Sequence, residues 1–228
     1  KGLKRLLSHK ELIDKRIKDD LARVSKTYGI DRRTELISED KVEQLNEEDL
    51  IDDFRLRLFL TEEGYIKKLA LTSLRSAGEL KTKDGDWIIQ DVEASNRQEV
   101  MFFTDKANVY KMMIYEIPDH KPSDIGEYSP NLLELDENEI VIYIHVPGTY
   151  QGEFIFSYAN GKCSRAKASG YETKTRRRKL VNAYSDASPL IGMAWQPEPQ
   201  DYLLRDDSDK VCLFDSTLVP LMKTRNNQ

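Results

Sequence analysis

The side chains best suited to chemistry in this sequence are basic and concentrated in one segment. Between Asn160 and Leu180, eight lysines and arginines stand against the single acid Glu172, a net charge of +7 in 21 residues. Clustered cations of this kind bind polyanions such as nucleic acids, although a solvated face is the ordinary alternative for any run of charge. The eight residues are Lys162, Arg165, Lys167, Lys174, Arg176, Arg177, Arg178 and Lys179.

Catalytic chemistry has little support. His9, His120 and His145 are scattered, and no reactive serine or cysteine motif lies near any of them. Cys163 and Cys212 fall in unlike contexts and are too few for a disulfide scaffold, so we expect inert packing residues in a reducing cytosol. The sequence therefore predicts no catalytic residue.

Metal binding and membrane insertion are also disfavoured. Asp206, Asp207 and Asp209 fall in a predicted turn, where acids are ordinary, so we predict no metal site and no cofactor. No uncharged stretch approaches the roughly 20 apolar residues of a membrane span, and the N-terminus lacks the apolar run of a signal peptide. We expect a soluble, cytoplasmic chain with no membrane partner.

The elements that must position the cations are β-hairpins. Four segments share the pattern of apolar strand, polar turn and second strand, and their turn positions are separated by 43, 54 and 48 residues. The mean of about 48 is a propeller-blade period. A β-sandwich with irregular hairpins is the alternative. The equivalent turn residues are Gly64, Ala107, Gly161 and Asp209.

Basic residues recur just after these turns. Lys67 and Lys68, then Lys111, then Arg165 with Lys167 stand at matching positions, so we expect them to line one surface. Between the hairpins, apolar runs predict further strands near residues 87–92, 139–146 and 189–195.

The first part of the chain has a different pattern. Ile13, Ile17, Leu21, Val24 and Tyr28 recur at helical spacing, which predicts a helix from about residue 3 to 28 that ends at Gly29 with a left-handed cap. A narrow apolar stripe indicates pairing with one partner helix, as in a coiled-coil arm, or packing on the following domain. The acidic residues 37–48 predict a linker, and β-type patterns follow from residue 49.

At this point the sequence resembles a known family, the A subunits of bacterial type IIA DNA topoisomerases, meaning DNA gyrase and topoisomerase IV. The stretch Lys26-Thr-Tyr-Gly-Ile-Asp-Arg-Arg-Thr-Glu-Leu36 is similar to the end of that family's coiled-coil arm. Leu60-Thr-Glu-Glu-Gly-Tyr-Ile-Lys-Lys-Leu69 and Val100-Met-Phe-Phe-Thr-Asp-Lys-Ala-Asn-Val-Tyr-Lys111 look like the first two hairpins of its C-terminal β-pinwheel.

The resemblance implies a mainly β chain. Residues 1–36 would be the helical end of the arm of the breakage-reunion domain, and residues 49–228 an incomplete β-pinwheel of about four hairpin repeats that ends inside a repeat. It also implies duplex DNA as the partner of the basic residues, bound nonspecifically and bent. The intact enzyme would be an A-subunit homodimer working with an ATPase B subunit, which brings ATP and Mg²⁺.

Two departures from the family pattern matter. The gyrase wrapping box should follow the first hairpin, but that stretch reads Leu74-Arg-Ser-Ala-Gly-Glu-Leu-Lys81, in which only Arg75, Gly78 and Lys81 are similar to it. This favours topoisomerase IV over the alternative, a gyrase A subunit. No tyrosine stands in the family's Arg-Tyr-Thr context, so this fragment alone should be inactive. A propeller-like protein-interaction scaffold without a DNA role is the alternative from another class.

Overall fold

The computed structural model describes residues 2–30, 34, 50–75, 77–173 and 178–222. The chain divides into two compact units, residues 1–45 and 46–228.

Most of the described part of the first unit is helical. Helix α1 spans Gly2–Ser8 and helix α2 spans Lys10–Tyr28, which confirms the predicted helix apart from a break at His9. No residue of α2 is buried, so its apolar stripe of Ile17, Leu21 and Val24 faces outward.

The predicted left-handed cap at Gly29 is wrong. Gly29 has an extended conformation, with φ of −61° and ψ of 134°, and its N–H donates to Ser25 O at 2.8 Å. A Cβ at this position would lie 2.2 Å from the same oxygen. Close approach to the helix end, rather than a positive φ, is therefore what requires glycine here.

The second unit contains thirteen strands and two short helices among its described residues. The strands form four sheets, so the sandwich alternative is wrong. The strands are β1 Arg55–Thr61, β2 Tyr65–Ala70, β3 Ile88–Ser95, β4 Glu99–Thr104, β5 Val109–Met113, β6 Glu127–Tyr128, β7 Val141–His145, β8 Glu153–Tyr158, β9 Cys163–Lys167, β10 Lys179–Leu180, β11 Leu190–Gln196, β12 Asp201–Arg205 and β13 Val211–Asp215; the helices are α3 Leu71–Arg75 and α4 Ser129–Leu133.

The four predicted hairpins are confirmed. They are β1–β2, β4–β5, β8–β9 and β12–β13, each antiparallel. All four predicted turn residues have positive φ, at 82° for Gly64, 55° for Ala107, 76° for Gly161 and 61° for Asp209. Each also donates its N–H to the carbonyl three residues earlier. The turns are therefore one structure repeated four times, although only two of them use glycine.

The first three sheets are closed by segments that come from later in the chain. Sheet 1 has the order β3-β1-β2-β6, and β6 follows the second hairpin. Sheet 2 has the order β7-β4-β5-β10, and β10 follows the third hairpin. In sheet 3, ordered β11-β8-β9, Arg165 forms a parallel bridge with Leu221, which follows the fourth hairpin. Consecutive sheets are thus interlocked.

The core consists of two apolar layers on either side of sheet 2. Along β4, Val100 and Phe102 pack towards sheet 1, whereas Met101 and Phe103 pack towards sheet 3. All four are fully buried, because alternate residues of a strand point to opposite faces. This explains why β4 is apolar throughout rather than alternating with polar residues.

Candidate nucleic-acid interface

Four of the predicted cationic contacts are turned into the protein. Lys68 is 3% exposed, and its ammonium donates to Ile114 O at 3.3 Å and Ile117 O at 2.9 Å and lies 2.9 Å from an Asp119 oxygen. These acceptors belong to the segment after the second hairpin. Lys68 therefore ties sheet 1 to the next repeat, and no part of its charge is presented to a ligand.

Lys111 occupies the equivalent position in sheet 2. Its ammonium donates to the Tyr150 hydroxyl at 2.6 Å, and that hydroxyl donates to Glu99 at 2.6 Å. Lys111 is 4% exposed, and its ammonium lies 4.7 Å from the centre of the Tyr150 ring. Burial of Tyr150, followed by its bond to Glu99, raises the pKa of the Tyr150 hydroxyl. Tyr150 precedes the third hairpin, so this contact also joins two repeats.

Arg165 and Lys67 complete the interior set. Arg165 pairs with Glu153 at 3.1 Å, and its side chain is only 12% exposed. Lys67 is 3% exposed and donates to the carbonyls of Lys81 and Pro122, and desolvation lowers its pKa. The expectation that Lys67, Lys68, Lys111 and Arg165 line one DNA-facing surface is therefore corrected. Strands β2 and β5, which follow the first two turns, are largely buried on both faces, so their lysines bond to carbonyls, a hydroxyl and acids inside the unit.

Other predicted cations are accessible. Lys162 is exposed next to the third hairpin turn, and Lys167 is exposed at the end of β9. Arg178 is exposed over 81% of its side chain and Lys179 over 32%. Lys174, Arg176 and Arg177 lie outside the described residues, so their place in the interface stays a prediction.

The most basic part of the chain, residues 171–179, is called the basic segment here, and it ends on β10, the outer strand of sheet 2. Lys179 and Leu180 of β10 pair with Tyr110 and Val109 of β5, and the Lys111 N–H donates to Arg178 O at 2.8 Å. Since β10 is the terminal strand of this sheet, Arg178 and Lys179 lie at a sheet edge and are held there by backbone hydrogen bonds.

This segment occupies the same place in its repeat as the stretch that resembles the gyrase box. Leu74 stands ten residues after the turn residue Gly64, and Tyr171 stands ten residues after Gly161. Over nine residues from these positions, 74–82 carries Arg75 and Lys81 against Glu79, a net charge of +1, whereas 171–179 carries five cations and one acid, a net charge of +4. The third repeat is therefore far more basic than the first at this position.

A buried carboxylate near this edge is missing from the sequence-based prediction. Glu139 is 2% exposed and accepts hydrogen bonds from Thr104 Oγ1, from Asn108 Nδ2 at 2.8 Å and from Tyr110 Oη at 2.8 Å. Burial opposes its ionisation, but the hydrogen bonds outweigh burial and lower the pKa of Glu139. The carboxylate thus fixes the turn of the second hairpin.

A repeat signal could have identified Glu139. It stands two residues before β7, as Asp86 stands two residues before β3 and Ser188 two residues before β11. Asp86 accepts from Glu63 N–H at 3.1 Å, and Ser188 accepts from Asn160 N–H at 3.2 Å, so each of these side chains also bonds to its hairpin turn. Aligning the third strands of the repeats, and not the hairpins alone, would have revealed this.

The histidines and cysteines do not assemble a reactive site among the described residues. His145 is 8% exposed, its ring packs against Phe154 and Trp195, and burial lowers its pKa to about 4. Cys163 is half-buried, but Cys212 is exposed, so the prediction that Cys212 packs inside is wrong.

The acidic turn that contains Asp206, Asp207 and Asp209 is held by hydrogen bonds from backbone N–H groups to a carboxylate. Asp206 Oδ1 accepts from the N–H groups of Ser208 and Lys210, both at 2.8 Å. Within the described residues, no three His, Cys, Asp or Glu side chains are grouped as metal ligands. No helix in that part of the chain is long and apolar enough to cross a membrane.

Comparison with known proteins identifies relatives. The chain is 28% identical to the DNA gyrase A subunit of Staphylococcus aureus strain MRSA252, over an alignment of 233 residues that covers 97% of this chain and 26% of the relative. The identity to the same protein of strain NCTC 8325 / PS 47 is 27%, with equal coverage. The chain thus spans about a quarter of the length of these relatives. No family model matches it.

Solved structures show the same fold. The C-terminal domain of DNA topoisomerase IV superposes with a TM-score of 0.64 at 19% identity, over 75% of this chain and 55% of that one. The C-terminal domain of gyrase A superposes with a TM-score of 0.58 at 14% identity, over 83% of this chain and 71% of that one. The E. coli ParC C-terminal domain superposes with a TM-score of 0.57 at 15% identity, over 77% of this chain and 71% of that one. The chain is therefore a homologue of bacterial DNA gyrase A subunits, and its β unit has the β-pinwheel fold of the C-terminal domains of type IIA topoisomerase A subunits.

Proposed function

We propose that this chain is the DNA-binding and DNA-bending C-terminal region of an ATP-dependent type II topoisomerase A subunit. The observation that carries the proposal is the basic segment, residues 171–179, which reaches the outer strand of sheet 2 in a β-pinwheel. Homology to gyrase A over 97% of the chain supports the same assignment.

The proposed contact is electrostatic and independent of sequence. Duplex DNA carries about one phosphate charge per 1.7 Å of its axis, and lysine and arginine neutralise these charges with release of counterions. Among the predicted contacts, the exposed described cations are Lys162, Lys167 and Arg178, and the segment adds Lys174, Arg176 and Arg177 from the sequence. The buried lysines Lys68 and Lys111 contribute by joining successive repeats, and Arg165 pairs with Glu153 within sheet 3.

The binding experiment measures duplex affinity against salt concentration. Replacing Arg176, Arg177 and Arg178 with alanine should weaken binding equally for unrelated sequences and flatten the salt dependence. The matched control removes three exposed cations from helix α2, Lys10, Lys15 and Lys18. Unchanged duplex affinity in the first variant would contradict the proposed surface. Salt-insensitive binding to a protein would instead favour an interaction scaffold.

We also propose that the intact enzyme resembles topoisomerase IV in its activity. The stretch Leu74–Lys81 after the first hairpin has a net charge of only +1 and retains only Arg75, Gly78 and Lys81 of the gyrase pattern. We therefore expect ATP-dependent relaxation or decatenation rather than negative supercoiling. Efficient supercoiling by the A subunit with its ATPase partner would contradict this preference and favour gyrase.

The remaining activities belong, in this proposal, to other parts of the assembly. A tyrosine nucleophile, supplied elsewhere in the A subunit, would cleave DNA with Mg²⁺, and the B subunit would hydrolyse ATP. The role of this chain would be limited to binding and bending the DNA. Its removal should reduce DNA bending and strand passage while leaving cleavage largely available.

A further inference from the structure

The two described residues at the end of the basic segment differ in how they are held. Arg178 extends 81% of its side chain into solvent, and its one described ion pair is with Glu116 at 3.2 Å. Such an exposed pair exchanges readily with another anion, because water and salt screen it. Lys179 is held much more closely, although it is adjacent in sequence.

Lys179 belongs to a continuous hydrogen-bonded network. Its ammonium lies 2.6 Å from Asp136 Oδ2 and 5.0 Å from the centre of the Tyr110 ring. The Tyr110 hydroxyl donates to Glu139 Oε2 at 2.8 Å, and Asp136 N–H donates to the same oxygen at 3.1 Å. The network therefore leads from Lys179 at the surface to the buried carboxylate of Glu139.

Apart from Lys179, the members of this network lie on the central strand β5 or in the turn that leads into β7, at the opposite side of sheet 2 from β10. Tyr110 lies on β5, and Asp136 and Glu139 precede β7. Glu139 is fixed by Thr104 and Asn108 at the second hairpin turn. Lys179 thus joins the end of the basic segment to the buried interior of the sheet.

We propose that Lys179 is a positioning residue that anchors the basic segment through Asp136, Tyr110 and Glu139, and does not itself bind phosphate. This inference rests on the proposed function, since the segment it positions is the proposed DNA contact. It corrects the expectation that Lys179 is a phosphate ligand. It also gives Asp136 an unexpected role, in which an acid beside a DNA-binding segment promotes binding.

The decisive variant is Asp136→Asn, compared with Glu137→Gln in the full chain. Both remove one negative charge from adjacent exposed positions, but only Asp136 holds Lys179. If Asp136 merely repels DNA, both variants bind duplex equally well or more tightly than the wild type. If it anchors the segment, Asp136→Asn weakens binding about five-fold, the size of a typical coupling between contacting residues, and Glu137→Gln does not.

The salt dependence separates positioning from contact. Asp136→Asn retains every cation, so its log–log salt slope should equal that of the wild type while its affinity falls. A second variant, Tyr110→Phe, changes no charge and should weaken binding in the same direction. Its control, Tyr158→Phe, alters a tyrosine that is equally buried but lies in sheet 3, and should bind as the wild type does.

Hydrogen exchange tests the anchor without DNA. The amides of Lys111 and Leu180 should exchange faster in Asp136→Asn than in Glu137→Gln, because β10 is then held less firmly to β5. Unchanged exchange, or tighter duplex binding by Asp136→Asn, would overturn the inference. Absence of duplex binding by the wild type, with faster exchange in Asp136→Asn, would instead refute the proposed function and leave the anchor intact.

Discussion

Gln90 of sheet 1 and Ile144 of sheet 2 are joined by two hydrogen bonds. Gln90 Nε2 donates to Ile144 O at 2.7 Å, and Ile144 N–H donates to Gln90 Oε1 at 2.8 Å. The side-chain amide therefore pairs with the next strand as a backbone segment would. It connects β3 to β7, whose own hydrogen-bonded neighbours lie in different sheets.

Replacing Gln90 with alanine should loosen the junction between the first two sheets. Both backbone groups of Ile144 lose their partner, and each unsatisfied buried group costs about 1–3 kcal/mol unless water replaces it. We expect the free energy of unfolding in urea to fall by about 2 kcal/mol. Gln151→Ala, at an exposed glutamine, is the control and should change it by less than about 0.5 kcal/mol. Equal stability of the two variants would show that the amide pairing contributes nothing.

Lys68→Met should affect stability, and Lys167→Met should affect DNA binding. Removing the Lys68 ammonium leaves the carbonyls of Ile114 and Ile117 without their buried donor, at a cost of about 3 kcal/mol in total. Lys167 is exposed, so its loss should leave stability almost unchanged and reduce the log–log salt slope by about 0.9 if it contacts phosphate. Chemical denaturation and duplex titrations on both variants measure the two effects. A lower salt slope for a folded Lys68→Met chain would contradict the structural role.

The variant with Arg176, Arg177 and Arg178 replaced by alanine should reduce the slope in proportion to the number of phosphates that these arginines neutralise. Three phosphate contacts correspond to a decrease of about 2.7 in the log–log slope, at about 0.9 for each contact. Affinity for unrelated duplexes should fall to the same extent, because phosphates carry no sequence information. Fluorescence anisotropy across a range of KCl concentrations measures both. A decrease confined to one DNA sequence would indicate base recognition instead.

His145 should make the β unit sensitive to acid. Burial lowers its folded-state pKa to about 4, whereas an unfolded chain has a value near 6.5. Between these values the unfolded state binds more protons. The contribution of His145 to the free energy of unfolding is therefore complete above about pH 6.5 and is lost as the pH decreases towards 4. At pH 4 this protonation lowers the free energy of unfolding by about 3 kcal/mol relative to pH 7.

The variant His145→Leu isolates this effect. It should remove that part of the pH dependence, while His9→Leu, at an exposed helix position, should keep it. Urea unfolding of the three proteins between pH 4 and 7 measures the difference. Parallel profiles for His145→Leu and the wild type would exclude His145 as the source.

The repeated local features were predictable from the sequence, because they are set by neighbouring residues. Turn residues Gly64 and Asn160-Gly161 suit positive φ, and even Ala107 and Asp209 were placed correctly from the spacing of the repeats. The third strand of each of the first three repeats, β3, β7 or β11, is predictable because an apolar run marks it.

Whether a cationic side chain points into the protein or into water could not be predicted in the same way. Lys68 stands after a turn just as an exposed lysine would, and its burial depends on carbonyls 46 and 49 residues later. Lys179 and Asp136 are 43 residues apart, so no local pattern reveals their pairing. Interactions between repeats decide which charges face water, and the sequence of one repeat does not contain that information.

The interlocking of the sheets has a consequence for synthesis on the ribosome. Sheet 1 receives β6 only after the second hairpin has been made, and sheet 2 receives β10 only after the third. Each sheet therefore reaches its full set of strands one repeat later than its own hairpin emerges. A nascent chain that ends between β5 and β6 exposes the open edge of β2, which makes that length of chain especially vulnerable to aggregation and to proteases.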